Sequence, residues 1–188
     1  MKNEIISILD ESIKVKERIK DLTPIIAKIS KEIIEAYRKK KKVVLFGNGG
    51  SAADAQHIAA EFVGKFYIDR ESLPSLAFHT NTSVLTAIAN DYGYDLVFER
   101  QVSSFVEIGD IAIGISTSGN SPNVIKGLIK AKEKGAITVG FTGEKSSKVE
   151  EISDICLKIP SSDTPRIQEG HITVGHIICY LVEKELFG

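Results

Sequence analysis

Apolar residues fall at helical spacing over the first forty positions: Ile5, Ile6, Leu9 and Ile13, then Leu22, Ile25, Ile26, Ile29, Ile33 and Ile34. The pattern predicts two helices, divided at Thr23-Pro24, with Thr23 as cap and Pro24 at the first helical position. The first is amphipathic with no partner nearby in sequence, the kind of helix that packs on another subunit. Beyond residue 42 short apolar runs alternate with helical stretches. Strands are predicted near 43–47, 75–79, 111–116, 136–141 and 155–159, and helices near 51–63, 83–90, 95–107, 121–134, 146–151 and 166–186. Such alternation means an α/β chain with a five-stranded parallel sheet covered on both faces, a Rossmann-like three-layer sandwich. Ligands of such sheets bind beyond the carboxyl ends of the strands. No internal repeat or low-complexity linker interrupts residues 1–188, so one domain is expected, with an N-terminal helical part over about 1–41.

The bulk numbers narrow the function classes. A chain of 188 residues with 43% hydrophobic and 26% charged residues has the composition of an ordinary soluble globular protein. Its net charge of -1 argues against a nucleic-acid surface. The one basic run, Arg38 to Lys42, falls at a helix C-terminus, where cations complement the dipole. The first six residues carry charge too early for a signal peptide, and no apolar stretch approaches the ~20 residues of a membrane span. Cys156 and Cys179 sit among apolar neighbours and read as buried free thiols. The expected location is the cytoplasm.

Three polar loops interrupt the apolar pattern. Gly47-Asn48-Gly49-Gly50-Ser51 follows the first strand and opens an alanine-rich helix. Ser51 with Asp54 three residues on looks like a capping box, which places the helix start at Ser51. That helix puts His57 and Glu61 four residues apart on one face, a candidate ligand or acid–base pair. Ser116-Thr117-Ser118-Gly119-Asn120-Ser121 follows the third strand, with Ser121 as N-cap and Pro122 at the first helical position. Four hydroxyls, a glycine and a helix N-terminus converge there as a cradle for a phosphate ester. No lysine of the P-loop kind is present, so nucleotide hydrolysis is not indicated. Asn90-Asp91-Tyr92-Gly93-Tyr94-Asp95 reads as a turn with a cap. The last helix carries His171 and His176, and the spacing alone favours core residues. His79, at a strand end, reads as structural.

Together these segments resemble the sugar isomerase (SIS) domain family, over nearly the whole chain. The hydroxyl loop marks the wider family. His57 and Glu61 with Gln168 and His176 resemble the branch that converts D-sedoheptulose 7-phosphate to D-glycero-D-manno-heptose 7-phosphate, the first step of ADP- or GDP-heptose synthesis for lipopolysaccharide or other surface polysaccharide. The resemblance implies that Ser116, Thr117, Ser118 and Ser121 hold the phosphate. It implies that Asn48, Gly49, Gly50, Ser51, Asn90, Asp91 and Gln168 line the sugar site. Glu61 would be the base that moves a proton between C1 and C2 through an enediol, with His176 as its acid–base partner. Zinc, one ion per subunit, would sit on His57, Glu61, Gln168 and His176, and the protein would be a homotetramer.

Gln168 and His176 lie eight residues apart, about 12 Å along a continuous helix. If they share an ion, either Gln168 belongs to the preceding loop or the two come from different subunits. Rival readings within the family are a non-catalytic binding module, such as a replication-initiator-associating protein, and a hexulose-phosphate isomerase. A sugar-phosphate-sensing transcription regulator fits less well, because no DNA-binding segment precedes the fold.

Overall fold

The computed structural model describes residues 1–188. Two N-terminal helices, α1 (Lys2–Ile19) and α2 (Thr23–Arg38), precede the alternating part. There β1 (Val43–Gly47), α3 (Gly50–Val63), β2 (Ser75–Ala77), α4 (Thr82–Tyr92), α5 (Val97–Phe105), β3 (Ile111–Ile115), α6 (Pro122–Glu133), β4 (Ile137–Thr142), α7 (Lys148–Ile152), β5 (Ile155–Lys158) and α8 (Thr164–Phe187) follow. The strands form one parallel sheet in the order β2-β1-β3-β4-β5.

Alternate strand residues feed two cores, as a sheet covered on both faces requires. Val43, Leu45, Ile111, Ile113 and Ile115 pack with residues of α2, α3 and α8. Val44, Phe46 and Ala112 pack on the other face with residues of α5, α6 and α7. The strand order reverses between β1 and β3, so the crevice beyond their carboxyl ends is the switch point where such sheets bind ligands. The loops after those two strands are the glycine- and hydroxyl-rich segments at 47–51 and 116–121.

Several local expectations are corrected. The capping-box reading of Ser51 fails: α3 begins at Gly50, and Ser51 lies inside it, buried. The turn is made instead by Gly49, whose φ of 57° is the left-handed conformation that glycine adopts without steric cost. Thr23 is likewise inside its helix, its hydroxyl donating to the Lys20 carbonyl at 2.6 Å, and Leu22 takes the cap position. Strand β2 stops at Ala77, two residues short of His79. A short 3-10 turn over 94–96 precedes α5, so the predicted helix starts two residues late. Cys179 is buried and Cys156 half-buried, both as free thiols.

The first helix keeps its apolar face uncovered. It rests on α8 through Ser12 Oγ donating to Glu169 at 2.7 Å and Arg166 donating to the Ile8 carbonyl at 3.0 Å. Ile5, Leu9 and Ile13 remain more than half exposed. No helix is long and apolar enough to cross a membrane.

Candidate active site

Helices α3 and α8 run side by side and bring His57, Glu61 and His176 together. His57 Nε2 lies 3.1 Å from Glu61 Oε1 and 3.3 Å from His176 Nε2. The two imidazoles meet edge to face, and the Phe66 ring stands 5.7 Å from that of His176. The three ligand-type atoms lie within 4.8 Å of one another. A zinc–nitrogen bond of about 2.0–2.1 Å puts tetrahedral ligands about 3.4 Å apart, so two imidazole nitrogens and a carboxylate oxygen at these separations fit a divalent ion.

Gln168 is not beside them. Both Gln168 and His176 belong to the continuous helix α8, which rules out the loop placement. Within one chain Gln168 lies over Gly50, where a Cβ would collide with its carboxamide. It therefore sits over the first residue of α3.

The hydroxyl loop closes on itself. Ser116 Oγ sits 2.9 Å from Ser121 Oγ and 3.4 Å from Ser118 Oγ. Ser121 occupies the N-cap of α6 as expected, but its hydroxyl turns to Ser116 rather than capping the backbone. Pro122 carries no N–H and that of Val124 goes to Asn123 Oδ1 at 2.9 Å, so the helix start offers an anion its dipole rather than a row of free donors, with the Ser118 side chain exposed beside it. Gly119, at φ 65°, makes the turn. Thr117 is half-buried, its carbonyl accepting from the Gly143 N–H at 3.1 Å. Asn90 and Asp91 lie exposed in the last turn of α4, Asn90 donating to Asp91 at 2.8 Å. That segment reaches the site through Tyr94, whose hydroxyl donates to Asn48 Oδ1 at 3.1 Å.

The remaining histidines are structural. His171 is fully buried, its Nε2 donating to the Thr142 carbonyl at 3.1 Å, and burial pulls its pKa to about 4. His79 accepts the Gly47 N–H at 3.2 Å and is likewise held neutral, near 4, by burial.

Asp54 emerges instead as a group that the capping-box reading misassigned. It lies one turn before His57, half-buried, with Oδ2 unpartnered. Burial pushes its carboxyl from 3.8 up to about 6, against the opposing pull of His57. A folded-state pKa above the unfolded value means the stability it contributes is full below pH 4 and lost as the pH rises through 6. Asp54→Asn should therefore raise the melting temperature by a few degrees at pH 8 and leave it unchanged at pH 4. Equal shifts at both pH values would show that the carboxyl bears no such burden.

A SIS domain family model matches residues 9–143. The chain is 54% identical, over its full length and 96% of the relative's, to the phosphoheptose isomerase of Aneurinibacillus thermoaerophilus. To that of Clostridium acetobutylicum it is 55% identical, over its full length and 97% of the relative's. Among solved structures, a phosphoheptose isomerase from Neisseria gonorrhoeae superimposes with a TM-score of 0.92 at 37% identity, covering 97% of this chain and 98% of that one. With a two-core parallel sheet, a hydroxyl loop at its switch point and a His-Glu-His cluster beside it, the chain belongs to the SIS domain family, among the phosphoheptose isomerases.

Proposed function

We propose that this chain interconverts D-sedoheptulose 7-phosphate and D-glycero-D-manno-heptose 7-phosphate, supplying heptose for nucleotide-activated sugars of lipopolysaccharide or another surface polysaccharide. The observation that carries the reading is the His57–Glu61–His176 cluster beside the switch-point loops, in a chain about half identical to phosphoheptose isomerases. The phosphate binds Ser116, Thr117, Ser118 and Ser121 at the N-terminus of α6, where the helix dipole favours an anion. Asn48, Gly49, Gly50, Ser51, Asn90, Asp91 and Gln168 line the sugar.

Glu61 removes a proton from C1 of the open-chain ketose while the C2 oxygen gains one, giving an enediol. The proton then returns to C2 as the C1 hydroxyl gives up its own, leaving the aldehyde. His176 serves the oxygens as acid and base. His57, Glu61 and His176, with Gln168 from a neighbouring copy, would hold zinc, one ion per subunit. What the bound ion supplies is Lewis-acid polarisation of the carbonyl oxygen.

Completion of the ligand set by a neighbour requires an oligomer, and a homotetramer is the reading adopted. It is supported by the uncovered face of α1 and by the two-turn gap between Gln168 and His176 on one helix. The absence of a membrane-crossing helix agrees with work in the cytoplasm on a soluble sugar phosphate.

The test is an NMR or coupled assay of the purified protein with sedoheptulose 7-phosphate, with zinc and with chelator. Formation of a heptose 7-phosphate is expected, with loss on chelation and recovery on zinc addition. No turnover under any metal condition, from folded oligomer, would overturn the reading in favour of a binding module. Ser118→Ala should raise KM about tenfold or more and leave kcat within about twofold, as loss of a hydrogen bond to a charged group predicts. An unchanged KM would take the phosphate away from this loop.

A further inference from the structure

The carboxamide of Asn48 is held from two sides, and its hydrogen-bond count closes except for one donor. Asn48 Nδ2 donates to Asn123 Oδ1 at 2.9 Å, and Asn123 Nδ2 donates back to Asn48 Oδ1 at 2.9 Å. The Tyr94 hydroxyl donates to the same Asn48 oxygen at 3.1 Å. A carboxamide oxygen has two lone pairs and its nitrogen two hydrogens. Both lone pairs of Asn48 are thus filled, and a single N–H is left over. Asn123 is fixed in its turn: it is buried in the first turn of α6, and its Oδ1 also accepts the Val124 N–H at 2.9 Å. Rotating either amide by half a turn would set donor against donor and acceptor against acceptor.

The placement gives this pair its meaning. Asn48 follows β1 and Asn123 opens the helix after β3, so the pair bridges the two strands between which the sheet order reverses. Tyr94 comes from a third segment, just beyond Gly93, which turns the chain with φ 89°. Tyr94 is 52% exposed, so its hydroxyl is not part of the core.

We infer that Asn123 and Tyr94 are positioning residues, which make Asn48 a fixed single donor that meets an acceptor oxygen of the substrate. This rests on the sugar-phosphate reading for where the ligand lies. A free asparagine can present either its oxygen or its nitrogen to a ligand. Here the oxygen face is occupied, so Asn48 serves an oxygen lone pair and turns away a hydroxyl hydrogen. The same pair ties the sugar loop to the start of the phosphate-bearing helix, so both ends of the ligand are read against one frame.

The experiment is a double-mutant cycle in the full-length protein with sedoheptulose 7-phosphate, read beside the side-chain amide NMR signals. Loss of one neutral hydrogen bond predicts that Tyr94→Phe lowers kcat/KM about three- to tenfold, chiefly through KM, with the melting temperature unchanged. In an Asn48→Ala background the same substitution should cost nothing further. The full penalty in both backgrounds would overturn the inference, because Tyr94 would then act without Asn48. Asn123→Asp keeps volume and the Val124 contact but removes the donor to Asn48, and should lower kcat/KM more than Tyr94→Phe does.

The amide signals need no turnover. Tyr94→Phe should move the NH2 resonances of both Asn48 and Asn123, and unmoved resonances would sink the proposal whatever the kinetics. If Tyr94→Phe moves these resonances while the wild-type protein has no isomerase activity, the sugar-phosphate reading is overturned and the positioning network stands.

Discussion

Glu61→Gln is expected to lower kcat by about a thousandfold, within the range that a positioned general base contributes, with the fold and the oligomer intact. The substitution is close to isosteric. Glu61 Oε1 lies 3.1 Å from His57 Nε2, and a glutamine oxygen can hold that contact. The second oxygen is the one that must take a proton from carbon, and an amide nitrogen cannot do so. Isomerisation in D2O gives a readout independent of rate. A proton carried by a solvent-accessible carboxylate exchanges before it returns, so wild-type product should carry deuterium at C2. The Glu61→Gln product formed over long incubation should appear only at the background rate. Wild-type kcat in this variant would remove Glu61 from the mechanism.

What could be read along the chain was whatever one segment determines by itself. All five strands and the helices between them fall within a few residues of their predicted places, because period and turn residues are local. Ser51 failed as a cap for an equally local reason: Gly49, two residues before it, can take φ 57°, which let the helix begin one residue earlier. The loop motifs were legible as motifs, yet the bonds that make them a site join distant segments. Asn48 and Asn123 are 75 positions apart, and His57 and His176 are 119 apart. Nothing in the turn reading of residues 90–95 distinguished Tyr94, because its partner lies on another loop. His171 and His176 share one helix, and spacing could not say which faced the core. The structure decides by packing, with His171 beside Phe141 in the sheet core and His176 beside Phe66.

Glu183→Ala should be the most damaging single substitution away from the site, destabilising the protein by about 3–5 kcal/mol, the usual penalty for leaving one member of a buried pair alone. The Glu183 carboxylate is 2% exposed and lies 3.1 Å from Arg70 Nε. Burial alone would raise its pKa. The N–H groups of Phe66, Tyr67 and Ile68, at 2.6–3.0 Å, together with Arg70 outweigh this and hold it below the usual value. Arg70 in turn donates to the carbonyls of Phe62, Gly64, Glu71 and Glu61. Removing Glu183 strands a buried guanidinium and three backbone donors in the segment that carries Phe66 past His176.

For a chain of this size that loss corresponds to a fall of roughly 6–20 °C in melting temperature. Activity at low temperature should fall as well, because Arg70 Nη2 holds the Glu61 carbonyl at 2.9 Å. Replacing both residues with apolar ones of similar volume should cost less than the sum of the single losses, since no charge is then left unpaired. A double variant as unstable as that sum would mean the pair itself contributes little, and that packing of the two side chains against α3 and α8 sets the stability of the segment.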